Sequence, residues 1–144
     1  MRLPRAAYLA IGLGMNLLLG TAYSWSVFGG ALIDEFGTRG ADAFTVLLPF
    51  AAAMAMFSVG MVFAGRAVDR YGPRKVALAG VVVFSAGYML CSLFDQSPWP
   101  IPSLTLLYGG LVGLGTGFGY NPTITTAVRW FPVRKGLASG IVVM

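Results

Sequence analysis

Long uncharged stretches, separated by short charged clusters, set the pattern of this chain. A bilayer hydrocarbon core about 30 Å thick is crossed by about 20 apolar residues of helix. Four stretches meet that requirement, at residues 8–33, 44–64, 76–94 and 104–128. A fifth apolar run begins at Leu137 and extends to Met144. Eight residues of helix rise only about 12 Å, so this run opens a span without completing it. The pattern predicts an all-α, polytopic membrane helix bundle of four spans and the start of a fifth.

The polar positions give the bundle a direction. Residues 34–42 are acidic and include Gly37 and Gly40, while residues 95–103 form a Pro-rich turn with Trp99 where an interfacial aromatic belt would sit. The other connections are basic. Arg2 and Arg5 precede the first span; Arg66, Arg70, Arg74 and Lys75 follow the second; Arg129, Arg134 and Lys135 follow the fourth. These three regions hold nine of the ten bases, leaving only Arg39 for the alternate side. The positive-inside rule then predicts a multi-pass protein of the plasma or inner membrane, with its N-terminus and both basic loops in the cytoplasm. The basic N-terminus could open a signal peptide, but the uncharged run that follows reaches from Ala6 to Ile33 without a clear cleavage site. It is read as a retained helix.

Composition narrows the chemistry. The chain is 57% hydrophobic and 10% charged, with a mean hydropathy of +0.77, against about 25% charged in soluble domains. The net charge of +5 follows the loops, which suits a bilayer better than nucleic acid. There is no histidine, and Cys91 is the only cysteine. Neither a disulfide framework nor a thiol metal site is expected, and the commonest general base is missing. No Asp, Glu, Lys or Arg lies within the four predicted spans, where such groups usually mark ion pathways. No cofactor, metal or enzymatic activity is expected.

Residues 65–75, Gly-Arg-Ala-Val-Asp-Arg-Tyr-Gly-Pro-Arg-Lys, carry the most specific local signal. An ordinary positive-inside loop would explain the bases but not Asp69 or the glycine spacing. Gly65 permits close helix approach, Gly72 permits a tight turn, and Asp69 can pair with a base or cap a helix. At Gly65, Asp69, Arg70, Gly72, Arg74 and Lys75 the segment resembles the signature of the major facilitator superfamily. The resemblance implies a conformational gate that holds two halves of a transporter together on the cytoplasmic side.

Span four and its exit supply a second signal. Gly109, Gly113 and Gly117 recur every four residues, forming a face on which another helix can pack closely. Pro122 deprives the Phe118 carbonyl of its helical partner, predicting a break there. Trp130-Phe131-Pro132, then Arg134 and Lys135, then Gly-Leu-Ala-Ser-Gly follow. With Tyr23-Ser24-Trp25 in span one, this run resembles the oxalate/formate antiporter family, which is related to monocarboxylate transporters. The resemblance covers nearly the whole chain. It implies that Tyr23 and Tyr120 line a small-carboxylate site, and that residues 1–144 are an incomplete N-terminal transmembrane domain whose partner is an absent C-terminal half. Independently, Asn16, Gly20 and Tyr23 share a helix face at about 100° per residue, polar in an otherwise apolar helix. Tyr23 and Tyr120 also lie near the middle of their spans, the depth of transporter substrate sites. Asn16, Trp25 and Asn121 join them as expected substrate contacts; for Trp25 and Phe28, packing or interface anchoring is an equally open role.

Two positions depart from the patterns. Gly109 stands about where many drug and sugar transporters carry an arginine, and Val133 replaces an acid frequent after Trp-Phe-Pro in the antiporter family. The expected function is secondary transport of a small organic anion by alternating access, by exchange. A buried carboxylate needs a cation or several donors, and the spans offer only hydroxyls and amides. The compensating Arg or Lys is therefore expected in the C-terminal half. A four-helix multidrug exporter would need an acid inside span one, where Glu35 lies only at the end. A transporter of another solute, or a non-transporting membrane subunit, remains an alternative.

Overall fold

The computed structural model describes residues 5–37, 42–93 and 100–144. The first span comprises α1 (Arg5–Leu19), a 3-10 turn (Gly20–Ser24) and α2 (Trp25–Gly37). The second and third are α3 (Ala43–Tyr71) and α4 (Pro73–Leu93). The fourth joins α5 (Pro100–Leu104), a π-helical segment (Thr105–Val112) and α6 (Gly113–Trp130), and α7 (Lys135–Val143) follows. Among the described residues, four stretches are long and apolar enough to cross a membrane: Ala7–Asp34, Phe44–Tyr71, Pro73–Leu93 and Ile101–Trp130. Their outer faces suit lipid, with Leu18, Val27, Phe44, Val62, Leu78 and Met89 all exposed.

The helices depart from the predicted spans where polar residues tolerate helix. α3 continues past residue 64 to Tyr71, so most of the expected loop is helical and Gly72 alone separates α3 from α4. At 29 residues and 1.5 Å per residue, α3 is about 43 Å long, so its last turns carry Arg66, Asp69 and Arg70 beyond the hydrocarbon. Gly72 stops the helix with φ 85 and ψ 157, its N–H still bonded to the Val68 carbonyl. Only glycine adopts that conformation freely. Pro73 then starts α4, where a first-turn residue needs no N–H partner. Pro100 likewise begins α5, so the predicted Pro-rich turn ends before residue 103. Trp99, Arg39 and Arg2 lie outside the described residues.

Two irregularities fall elsewhere than expected. Span one is interrupted at residues 20–24, where the Thr21 and Ser24 hydroxyls donate to the Leu18 and Thr21 carbonyls at 2.8 and 2.6 Å. Such local bonding competes with the helical ladder. In span four the predicted break at Pro122 does not occur, because α6 runs through it to Trp130. The Phe118 carbonyl carbon lies in a tight contact with Gly80 of α4, which holds that turn in place. The irregular turn is the π segment upstream, where the Gly113 N–H reaches back to the Tyr108 carbonyl.

α6 is the centre of the bundle, and its glycines explain why. A methyl on Gly113 would lie 2.5 Å from the Ala53 carbonyl oxygen of α3, and one on Gly117 would lie 2.6 Å from that of Phe57. On the opposite side a methyl on Gly115 would meet the Phe84 nitrogen of α4 at 2.5 Å, and one on Gly80 of α4 would lie equally close to the Gly119 nitrogen. Residues two apart on a helix point about 200° away from each other, so one glycine-rich helix seats a neighbour on each side. The predicted face of Gly109, Gly113 and Gly117 is the α3 seam. The order of contacts, 109 with 52, 113 with 53 and 117 with 60, makes α3 and α6 parallel, whereas 87 with 112 and 80 with 119 make α4 antiparallel to α6. Gly65 is not part of the tight seam, since a methyl there would stand 3.7 Å from Asn121 Nδ2, an ordinary contact. Gly60, five residues earlier in the helix, takes that role, since a methyl there would stand 3.0 Å from the Leu114 carbonyl oxygen.

Candidate functional site

The polar groups of the spans divide into those consumed by packing and those nearer the surface. Asn16 belongs to the first kind. It is buried, its Nδ2 donates to the Val142 carbonyl at 2.6 Å, and its Oδ1 lies 3.0 Å from the Thr123 hydroxyl. That hydroxyl is also 2.6 Å from the Tyr120 carbonyl and has one proton to share between the two acceptors. Asn16 therefore ties α1 to both α6 and α7. Asn121 faces α3, with Nδ2 donating to the Met61 carbonyl at 3.2 Å. Its Oδ1 is buried with no partner among the described residues.

Trp25 is 6% exposed and packs against Tyr108, with ring centroids 4.7 Å apart. Tyr108 continues an aromatic chain to Tyr88 and Phe84, and its hydroxyl donates to the Ala22 carbonyl at 2.6 Å. The Trp25 indole N–H is buried without an acceptor among the described residues. Phe28, by contrast, is 58% exposed, on the apolar outer surface.

Tyr23 and Tyr120 lie nearer the surface of the bundle. Tyr23 is 45% exposed, and Tyr120 is partly buried. Tyr120 meets Phe57 edge-on at 5.8 Å, and its hydroxyl reaches the Val143 carbonyl only at 3.4 Å. The polar face drawn from Asn16 through Gly20 to Tyr23 is twisted by the 3-10 turn. Three residues advance by about 360° there, against about 300° in an α-helix, moving Tyr23 about 60° around the helix from its α-helical position. Asn16 is buried in the bundle while Tyr23 reaches its surface.

The glycine-and-base motif sits at one end with the other basic segments. Asp69 accepts from Arg129 Nη2 at 3.2 Å, both side chains largely exposed. Asp69 thus pairs with a base rather than capping a helix. Arg70 lies over the Tyr71 ring at 5.3 Å, and Arg66, Arg74 and Lys75 are exposed. Tyr8, near the start of α1, stacks on Trp130 at the end of α6, centroids 4.5 Å apart. The start of α1, the α3–α4 turn and the α6–α7 turn therefore share one end of the bundle.

The family model of the Major Facilitator Superfamily matches residues 7–144. The chain belongs to the major facilitator superfamily. This is a superfamily of transporters rather than enzymes, and the chain is a multi-pass membrane protein. It is 33% identical over 125 residues to YhjX of Escherichia coli (strain K12), an uncharacterized MFS-type transporter, covering 87% of this chain and 29% of that protein. It is 32% identical over 126 residues to the oxalate:formate antiporter of Oxalobacter formigenes, covering 88% and 28% respectively. Monocarboxylate transporter 10 of Homo sapiens is 28% identical over 117 residues, covering 78% and 21%. The chain thus spans less than a third of the length of these relatives.

Within this facilitator bundle, Tyr108 and Thr123 carry contacts that their sequence positions did not announce, and Arg129, expected only as a cytoplasmic base, pairs with Asp69. Arg129 had a signal, since it is the first base after span four and Asp69 is the only acid in the basic turns. Thr123 had only its one-turn spacing from Gly119. Tyr108 had none, because its partner is a backbone carbonyl 86 residues away.

Proposed function

We propose that this chain is the N-terminal portion of a secondary active transporter that carries a small organic anion by alternating access and exchange. Its N-terminus lies in the cytoplasm of the cell. The observation that carries the reading is the pair Tyr23 and Tyr120. They are mid-span hydroxyls on two helices, neither of them buried in the bundle, in a chain similar over most of its length to an oxalate:formate antiporter. Phenolic hydroxyls donate to a carboxylate without carrying charge into the membrane. Trp25 anchors span one on Tyr108, and Asn16 and Asn121 hold the helices that present the pair. The cation that balances the substrate lies in a C-terminal half. Gly65, Asp69, Arg70, Gly72, Arg74 and Lys75 form the cytoplasmic gate, latched within this half by Asp69 and Arg129.

The test is counterflow with the complete gene product in proteoliposomes loaded with oxalate, formate or lactate. Labelled anion should accumulate only against a loaded carboxylate, and Tyr120→Phe should raise KM with little change in folding. Accumulation of no carboxylate, in a preparation that retains its helical spectrum, would reject the substrate class. The similarity to MFS-type transporters whose names specify no solute then favours a different small solute on the same bundle.

A further inference from the structure

Leu19, Ala22 and Trp25 of span one are all buried, and they stand three residues apart. Positions three apart eclipse one another in a 3-10 turn, whereas an α-helix would spread these three over about 120°. The turn at Gly20–Ser24 therefore gathers them onto one face. It also sets Tyr23 about 120° round from Ala22, towards the surface of the bundle. Tyr108 of the π segment, itself buried, meets the buried face. Its ring packs on Trp25 and its hydroxyl donates to the Ala22 carbonyl at 2.6 Å. One phenol from span four thus grips span one at two points a single turn apart. The Ala22 carbonyl belongs to the planar peptide unit that ends at the Tyr23 Cα. Holding that oxygen holds the plane from which the Tyr23 side chain departs.

We propose that Tyr108 is a positioning residue, which clamps the 3-10 turn of span one and thereby aims the Tyr23 hydroxyl at the substrate. The proposal rests on the reading of Tyr23 as a carboxylate contact. Tyr108 acts through the turn and touches no substrate itself. Thr21 and Ser24 bond to carbonyls of their own span, which favours a tight turn without fixing its direction in the bundle. The Tyr108 hydroxyl fixes that direction because it reaches the turn from another helix. Phenylalanine at position 108 would keep the ring against Trp25 and lose the bond to Ala22, so Tyr108→Phe separates the aim of Tyr23 from the packing of the bundle.

The experiment uses the complete gene product. It measures counterflow of labelled oxalate, formate and lactate in proteoliposomes and, in nanodiscs, the fluorine resonance of a fluorotyrosine at position 23. Tyr23→Phe should raise KM about tenfold, the loss of one hydrogen bond to a charged group. Tyr108→Phe should raise KM roughly three- to tenfold with kcat and the helical spectrum little changed, because a misdirected hydroxyl loses part of that same bond. Added to Tyr23→Phe, it should bring no further rise, since coupled residues do not act additively. The fluorine resonance should shift in Tyr108→Phe. Thr116→Val removes another buried hydroxyl of span four, bonded to the Val112 carbonyl at 2.7 Å; it should change neither KM nor the resonance. An unmoved resonance in Tyr108→Phe would overturn the proposal. So would KM rises that multiply in the double variant, or an equal change in Thr116→Val, which would mean a general loosening of the span. A resonance that shifts although no carboxylate is carried, or although Tyr23→Phe leaves KM unchanged, would keep the positioning and reject the anion reading instead.

Discussion

Replacing Gly113 by alanine tests whether backbone contact holds the bundle together. The added methyl would lie 2.5 Å from the Ala53 carbonyl oxygen and 2.9 Å from its Cα, whereas non-bonded atoms rest about 3.5–4.0 Å apart. The obstructing atoms are main chain, so no side-chain rotation relieves them and the two helices must separate. Gly109 and Gly117 lie on the same seam, where an added methyl would likewise come within 2.6 Å of α3, so separation at one point loosens three. Overpacking of this kind costs about 1–3 kcal/mol, partly offset by about 0.5–1 kcal/mol from removing a helical glycine. The net expectation is a loss of about 1–2 kcal/mol, or roughly a five- to thirtyfold rise in the unfolding constant. Gly14→Ala is the matched control, because nothing lies within 4 Å of its added methyl; it should be neutral or stabilising. The assay is reversible unfolding in mixed micelles followed by helical circular dichroism. Because the clash is with backbone, a second change of Ala53→Gly should not restore stability. Wild-type stability in Gly113→Ala, or full rescue by Ala53→Gly, would refute the reasoning.

Three further outcomes follow from single contacts. Asn16→Leu removes the bond to Val142 and the contact with Thr123; at about 0.6 kcal/mol per membrane hydrogen bond, up to about 1.7, it should cost about 1–2 kcal/mol and speed hydrogen exchange in α7. Gly72→Ala must hold alanine at φ 85, which costs about 1–3 kcal/mol and should lower the midpoint of the same unfolding curve. A double-mutant cycle of Asp69→Asn and Arg129→Gln should give a coupling below about 1 kcal/mol, since both groups are exposed. That coupling should shrink as salt rises, and a large salt-insensitive value would show that the pair is buried in the working protein.

Apolar runs revealed the spans because hydropathy reports membrane depth directly. They did not reveal where the helices stop, because termination depends on residues such as Gly72 and Pro73 rather than on polarity. Arg66, Asp69 and Arg70 are charged yet remain helical, which is why α3 outruns its apolar segment. The α3 seam was legible because Gly109, Gly113 and Gly117 recur at helical spacing. The partner on that seam was not, since nothing in one helix identifies its neighbour. In the same way Tyr23 and Tyr120 stood out as mid-span hydroxyls, but the engagement of Asn16 depended on Val142, 126 residues away. The 3-10 turn was hidden because Thr21 and Ser24 tolerate a regular helix as well as the overwound one.

The π segment of span four affects how this chain should be compared with others. A turn closed from residue i to i+5 holds one residue more than an α-helical turn, and the Gly113 N–H reaching the Tyr108 carbonyl is such a closure. A relative whose fourth span is α-helical throughout would therefore need a one-residue gap somewhere between Thr105 and Val112. An ungapped alignment that is correct over α6 is then one position out over Pro100–Leu104, and one residue of slip rotates a helical position by about 100°. Gly109 lies inside that window, so its equivalence to an arginine in other transporters depends on where the extra residue is placed.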